Sequence, residues 1–139
     1  MILFHSETDF SLSNKLQYKR WLKSLAAFEG FTIGDINYIF CDDDYLLKLN
    51  EEYLHHDTLT DIITFDYVEG KRLNGDIYIS IERVRENSII FSVSFDQELL
   101  RVLSHGVLHL CGYKDKTDVE AAQMRRMEEF AINMFSEIH

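Results

Sequence analysis

The sequence lacks proline altogether, contains only two cysteines and has no long hydrophobic segment. Because a membrane-spanning helix needs roughly 18 consecutive apolar residues, we do not expect an integral membrane protein. The N-terminal segment MILFHSETDF has neither a basic region nor a long apolar stretch, so it does not have the character of a signal peptide. We therefore expect a cytoplasmic protein in which Cys41 and Cys111 stay reduced.

Basic residues are also few, since 14 Lys and Arg face 24 Asp and Glu and give a net charge of −10. This balance excludes a uniformly basic surface for nucleic acid. Acidic side chains concentrate in residues 41–69, which hold nine of them and a single lysine. A local basic patch is compatible with this distribution, because Lys15, Lys19 and Lys23 recur every four residues beside Arg20. An ordinary solvated helix face is the alternative, with an inner face formed by Leu12, Leu16, Leu22 and Leu25.

The chain length indicates one domain. Its 139 residues can form a single buried core, and 46% apolar with 27% charged residues is typical of a globular protein. The sequence shows no linker, repeat or low-complexity stretch at which a boundary could lie. We therefore predict a single domain over residues 1–139.

Hydrophobic periodicity predicts alternating strands and helices along the chain. The predicted strands are residues 2–4, 32–40, 63–67 and 75–81, the last two forming a possible hairpin. The predicted helices are residues 11–28, 42–53, 82–91, 94–111 and 118–136. The irregular order indicates a mixed α/β or α+β domain, which we assign as α+β. In it, a small mixed four-stranded sheet is covered by about five helices.

Polar residues mark the starts of several helices. Ser11 or Ser13 is expected to cap the first helix, and Gly30 to end it. Capping boxes are predicted at Ser94 with Gln97 and at Thr117 with Glu120, each before a long apolar-periodic segment. On the last helix, a stripe at helical spacing is expected to pack in the core, namely Met124, Met127, Ala131 and Met134.

One segment, HGVLHLCGYKD, has the spacing of a metal site. His105 and His109 stand four residues apart on one face of a predicted helix, close enough to share an ion. Gly112 ends that helix, so Asp115 can approach the same ion from another side. Three protein ligands leave one position for water, as in catalytic zinc sites. Nickel, iron and manganese accept the same ligand types, and an incidental pair of histidines is the alternative.

Two neighbouring positions refine the expected chemistry. Metallopeptidases with a similar motif carry a glutamate base directly after the first histidine, where this chain has Gly106. A peptidase is therefore disfavoured. A metal ion that lowers the pKa of a bound water to about 7 can still promote phosphodiester cleavage, which we favour. Cys111 lies about 160° around the helix from His109 and is expected to pack in the core.

The segment HGVLHLCGY resembles the HGxLHLxGYDH signature of the YbeY family of bacterial endoribonucleases. Weaker similarities lie upstream and extend the resemblance over about residues 45–115. They comprise Leu49 with Asn50, Tyr53, the segment TDIITF at 60–65, Gly75 to Ile77 with Ile79, and Glu98.

The resemblance implies a zincin-like domain that holds one metal ion per chain, with zinc as the expected metal. It implies a cytoplasmic, metal-dependent endoribonuclease for single-stranded RNA. Such an enzyme would act in rRNA maturation, including the 3′ end of the small-subunit rRNA, and in ribosome quality control. The expected partners are rRNA and the ribosome or its proteins, while neither DNA nor a membrane is expected.

Carried over by position, the resemblance makes His105 and His109 the first two metal ligands. The family's final histidine falls on Asp115, and the aspartate before it falls on Lys114. We predict that Asp115 is the third ligand, since a carboxylate oxygen can replace an imidazole nitrogen.

The substrate side departs from the family at Leu54, where the resemblance places an arginine that could contact phosphate. Another cation would then have to serve, and the candidates are Lys114, Arg101 and the lysines of the first helix. The loop residues His55, His56 and Asp57 could touch substrate or form an ordinary exposed loop. Glu98 and Arg101 are expected to support the ligands or form an ion pair rather than to catalyse.

Two functions therefore stand against each other. The favoured one is the endoribonuclease, for which the sequence names neither a general base nor a substrate-binding residue. The alternative is a non-catalytic ribosome assembly factor with a structural metal. The missing arginine and the net charge of −10 motivate it, because acidic surfaces suit basic ribosomal proteins.

Overall fold

A computed structural model describes residues 1–54 and 60–138, and in it strands and helices alternate along the chain. Their order is β1 (Ile2–Ser6), α1 (Lys15–Phe28), β2 (Thr32–Cys41), α2 (Asp43–Leu54), β3 (Ile62–Asp66), β4 (Arg72–Ser80), α3 (Ile81–Ile90), α4 (Phe95–Leu110) and α5 (Asp118–Ser136). The predicted α+β class, with its four-stranded sheet and five helices, is confirmed. None of these described helices is both long and apolar enough to cross a membrane.

The sheet is mixed and has the strand order β1-β2-β4-β3. β1, β2 and β4 run parallel, and β3 pairs antiparallel with β4 at the edge, where Thr64 lies opposite Ile77. β3 and β4 form the predicted hairpin. Its turn closes by two backbone hydrogen bonds between Glu69 and Arg72, and Gly70 adopts the left-handed conformation that the turn needs.

Alternating side chains give the sheet two apolar faces. On one face, Ile77 and Phe40 join the main core with residues of α1, α3, α4 and α5. On the other, Tyr78 and Cys41 join a smaller cluster covered by Leu46 of α2. The edge strand β3 therefore lies between α4 on one side and α2 on the other.

A glycine sets how closely α4 approaches the sheet. A Cβ atom at Gly106 would lie 2.9 Å from Cδ1 and 3.0 Å from Cγ2 of Ile77 on β4. The first distance is shorter than real Cβ contacts and the second is tight, so a Cβ at position 106 would force the Ile77 side chain or α4 to shift. The close approach fixes the height of the last turns of α4 above the sheet, and these turns carry both histidines.

Helix starts were predicted correctly in two cases and wrongly in one. Thr117 forms the complete predicted capping box with Glu120, whereas at Ser94 one of the two bonds of the predicted box is described, from the backbone N–H of Gln97 to the Ser94 side chain. For α1, neither Ser11 nor Ser13 is the cap. The helix begins after Asn14, whose backbone is left-handed with φ 55° and whose side chain makes no capping bond.

The predicted basic and apolar faces of α1 are partly confirmed. Lys15 and Lys23 are exposed, as on an ordinary solvated face. Leu22 and Leu25 are buried, whereas Leu16 is 61% exposed, contrary to its expected place on the inner face.

Candidate metal centre and its cleft

His105 and His109 occupy the last two turns of α4, as their spacing predicted. Their rings meet edge to face, with centroids 4.4 Å apart and planes at 84°. The side chains are only partly accessible, His105 being 12% and His109 28% exposed. The imidazoles thus form a recessed pair that solvent or substrate reaches from one side.

The chain reverses directly after this pair. Gly112 has a φ of +104°, which favours glycine, and its amide donates to the carbonyl of His109. The amide of Tyr113 donates to the carbonyl of Leu108, which completes a Schellman motif at the end of α4. This reversal is the local reason that Asp115 returns to the face of the helix that carries the histidines.

Asp115 is the third member of the candidate ligand group. Its Oδ2 lies 3.3 Å from Nε2 of His105 and 3.4 Å from Nε2 of His109, and the ligand atoms of all three residues lie within 4.8 Å of one another. Bonds of 2.0–2.1 Å to a tetrahedral zinc ion place two ligand atoms about 3.3–3.4 Å apart. The two distances to Asp115 match this separation, so the two imidazole nitrogens and the carboxylate oxygen could hold a divalent metal ion.

A backbone carbonyl orients His109. Its Nδ1 lies 2.9 Å from the carbonyl oxygen of Tyr113. A carbonyl oxygen only accepts hydrogen bonds, so Nδ1 carries the proton. In the neutral ring, Nε2 then keeps its lone pair on the side of Asp115, where it can bind a cation. The turn that brings in Asp115 thereby also orients the second histidine.

Glu128 of α5, which was not predicted as a site residue, orients His105 in the same way. Its Oε2 lies 2.6 Å from Nδ1 of His105, and the residue is 1% exposed. Pairs of a carboxylate with a ligand histidine are common at metal sites. A signal was available, because Glu128 interrupts the apolar stripe of α5 four residues after Met124 and three before Ala131. An acidic residue on a core face needs a buried partner.

Arg101 lies beside this pair among three carboxylates. Its Nε donates to both oxygens of Glu98 at 3.0 Å, and its Nη2 donates to Asp61 at 3.2 Å. Its Nη1 lies 3.5 Å from Glu128. Burial alone would lower the pKa of Arg101, but the hydrogen bond to Glu98 and the three negative charges raise it above its ordinary value. The ion-pair role expected for Glu98 and Arg101 fits this geometry.

An open cleft of about 850 Å³ adjoins the three converging residues. Its walls come from α2, the segment through β3, α4, the turn after α4, and α5. The described lining includes Leu54, Asp61, Ile62, Thr64, Asp66, Arg101, His105, His109, Asp115, Lys116, Arg125 and Glu128. Position 54, where the family arginine was expected, therefore faces the cleft.

Other predicted contacts lie elsewhere. Lys114 and the lysines of α1 are not among the described residues that line the cleft. The interpretation of His55, His56 and Asp57 as substrate contacts concerns positions outside the described residues. Cys111 packs against the core, as predicted, and burial raises the pKa of its thiol to about 12.

A model of the endoribonuclease YbeY family matches residues 4–136 of the sequence. The chain belongs to the YbeY family. This confirms the resemblance that HGVLHLCGY indicated, and with it the expectation of an enzyme of the endoribonuclease, and hence hydrolase, class.

Proteins named Endoribonuclease YbeY are similar to this chain over nearly its whole length. The protein of Flavobacterium johnsoniae is 56% identical over 135 residues, which cover 97% of each chain. The protein of Christiangramia forsetii is 55% identical over 96% of this chain and 94% of its own. The protein of Cytophaga hutchinsonii is 44% identical over the same shares, 96% and 94%.

A solved structure has the same fold. The solution structure of TM1509 from Thermotoga maritima superposes with a TM-score of 0.69 at 29% sequence identity. The match covers 97% of this chain and 89% of TM1509. The arrangement of helices and sheet described above is therefore shared with a protein whose structure was determined by experiment.

Proposed function

We propose that this YbeY-family chain is a metal-dependent endoribonuclease in which His105, His109 and Asp115 hold one divalent ion. The observation that carries the proposal is the convergence of their three ligand atoms within 4.8 Å. Zinc is the proposed metal, because nitrogen and carboxylate ligands at these separations suit it. A divalent ion held there supplies Lewis acidity and an acidic water for attack on a phosphodiester.

The chain's own residues orient the two histidines and hold the site in a recess. Tyr113 and Glu128 accept the Nδ1 protons of the two histidines and so direct both Nε2 atoms toward Asp115. The partly buried position of His105 favours a substrate that can bend into the cleft. A single RNA strand does so more readily than a stiff duplex, which supports single-stranded RNA as the substrate.

The biological role follows from the family. We assign the chain to rRNA maturation, including the 3′ end of the small-subunit rRNA, and to ribosome quality control in the cytoplasm. The supporting observations are the family match and the names of the relatives. The ribosome or its proteins are the proposed partners, and the acidic surface of a chain with net charge −10 suits basic ribosomal proteins.

The experiment compares the wild type with His109→Ala on a single-stranded mimic of the small-subunit rRNA 3′ end. His5→Ala is the matched control, because His5 is an exposed histidine on β1. Folding is followed by circular dichroism and bound metal by elemental analysis. We expect the wild type and His5→Ala to cleave and to hold one metal ion, and His109→Ala to lose both properties.

Two results would contradict the proposal in different ways. Stoichiometric metal in folded His109→Ala would remove that residue from the ligand set. A folded, metal-loaded wild type that leaves the RNA intact would contradict the nuclease function. Binding of that inactive protein to ribosomes would favour the assembly factor with a structural metal.

A further inference from the structure

The cleft beside the metal centre carries several negative charges. Its described lining includes four carboxylates, those of Asp61, Asp66, Asp115 and Glu128. RNA brings a further negative charge with every phosphate, so a strand in this cleft meets repulsion that one divalent ion offsets only near the ion itself. Phosphates on either side of the scissile bond need cations of their own.

Arg101 cannot serve as such a cation. Although it lines the cleft, its guanidinium already donates to Glu98 and Asp61 and lies next to Glu128, and its side chain is 17% exposed. Releasing it to bind phosphate would leave the nearly buried carboxylate of Glu98 without a counter-charge and Glu128 with only a long contact to Arg125. Breaking a buried ion pair in this way is strongly unfavourable.

The other two basic residues of the described lining are differently placed. Lys116 directly follows the proposed ligand Asp115 and is exposed. No carboxylate of the described residues lies within 4.0 Å of its ammonium group. Arg125 lies on α5, one turn before Glu128, and is 59% exposed. Among the described residues, Arg125 has one carboxylate within 4.0 Å, and this contact is long, with Nε 3.7 Å from Oε1 of Glu128.

We propose that Lys116 and Arg125 bind the phosphates that flank the scissile bond of an RNA strand. This inference rests on the proposed function and names residues for its substrate side. Lys116 approaches from the turn that supplies Asp115, and Arg125 approaches from the helix that supplies Glu128. The two cations thus stand on two separate walls of one cleft, with the candidate metal centre in the same lining.

The competing position is Lys114. It is exposed and outside the described lining, and it lies near Glu120, whose pKa is lowered mainly by hydrogen bonds at Thr117 and to a smaller extent by the charge of Lys114. It therefore belongs to the start of α5 rather than to the cleft. A comparison of Lys114 with Lys116 tests the assignment directly.

The test measures how salt weakens the binding of single-stranded RNA, because each phosphate neutralised by a cation adds about 0.7 to the slope of log affinity against log salt. Lys116→Gln and Arg125→Gln are introduced singly and together in the His109→Ala background, which prevents cleavage. Lys114→Gln and Arg126→Gln are the matched variants, since Arg126 is an exposed neighbour outside the lining. The probe is a fluorescent 12-nucleotide RNA read by anisotropy.

We expect the double variant to lower the slope by about 1.4 and to weaken binding at low salt about tenfold. The matched variants should keep the slope of their background. In the otherwise wild-type protein, the double variant should raise KM with little change in kcat and leave the metal content unchanged, because these contacts bind ground state and transition state alike.

The outcomes test the phosphate contacts of Lys116 and Arg125 separately from the nuclease function. An unchanged slope in the double variant, or an equal drop in the Lys114→Gln or Arg126→Gln variant, would overturn the assignment of Lys116 and Arg125 even if the wild type cleaves RNA. A changed slope with no cleavage by the wild type would retain the two phosphate contacts and reject the nuclease. Loss of metal in Arg125→Gln would show that Arg125 acts through its contact with Glu128 at the metal centre. That result would overturn the role of Arg125 in phosphate binding.

Discussion

The Oε2 atom of Glu128 on α5 lies 2.6 Å from Nδ1 of His105 on α4. This contact joins two consecutive helices across 23 residues of sequence, and it fixes which nitrogen of His105 faces Asp115. A carboxylate in this position also makes the imidazole a more basic ligand. The C-terminal helix therefore takes part in the candidate metal centre without supplying a ligand.

We expect Glu128→Ala to weaken zinc binding about 10- to 100-fold, because His105 loses the partner that sets its orientation. Glu128→Gln should lose less, since its amide oxygen can still accept the Nδ1 proton. Affinity is measured by competition with a chromophoric chelator. The control is Glu129→Gln, an exposed neighbour on α5. Equal affinities for Glu128→Ala and the control would show that the contact does not support the metal.

Arg101 holds together charges from three parts of the fold. We expect Arg101→Met to lower the free energy of unfolding by about 3–5 kcal/mol, because Glu98 would remain nearly buried without a cation and Glu128 would keep only its long contact to Arg125. Arg101→Lys keeps the charge but not the forked donors, and an intermediate loss is expected. Urea unfolding of the metal-free protein measures both.

Metal-free samples separate this effect from any change in zinc binding. Arg126→Met, which removes an exposed arginine, should change stability by less than about 0.5 kcal/mol. If Arg101→Met matches that control, the ion-pair cluster contributes nothing to folding.

The part of the site that is local in sequence could be predicted, and the part that depends on packing could not. His105, His109 and Asp115 follow from helical spacing and one helix-ending glycine, so the sequence alone indicates their proximity. The partners of these residues lie far away along the chain, with Glu128 separated by 23 residues from His105 and Asp61 by 40 from Arg101. Only the packing of α5 and β3 against α4 brings them together.

The fold shows the same limit. Periodicity predicted the existence and type of each strand and helix, because alternation and helical spacing are properties of short segments. The order β1-β2-β4-β3 depends on crossovers that no short segment specifies. The start of α1 was also mispredicted, because Ser11, Ser13 and Asn14 are all residue types that cap helices, so residue type alone does not decide between them.

The close approach of Gly106 to Ile77 leads to a third prediction, which concerns the stability of the fold. Alanine favours a helix over glycine by about 1 kcal/mol, whereas overpacking a core costs about 1–3 kcal/mol. Since a Cβ at position 106 would lie 2.9 Å from Cδ1 of Ile77, we expect Gly106→Ala to be destabilising by about 1 kcal/mol overall. Thermal and urea unfolding measure this difference.

A double-mutant cycle with Ile77→Val tests the cause. This change removes Cδ1, so Gly106→Ala should be less destabilising in the Ile77→Val background than in the wild type. Strictly additive effects would mean that the close approach of α4 to β4 does not depend on this pair.

Cys41 at the end of β2 makes stability sensitive to alkaline pH. Burial is the main cause that raises its pKa to about 12 from an ordinary 9.0, and the charges of Asp42 and Asp43 add to it. The unfolded chain therefore loses this proton at lower pH than the folded chain. The stabilisation is complete below about pH 9 and is lost as the pH rises toward about 12.

Between about pH 9 and 12, we expect the free energy of unfolding of the wild type to fall by about 1–3 kcal/mol more than that of Cys41→Ala. Urea unfolding at several pH values measures this difference. Parallel pH profiles for the two proteins would mean that the Cys41 thiol does not account for the alkaline loss.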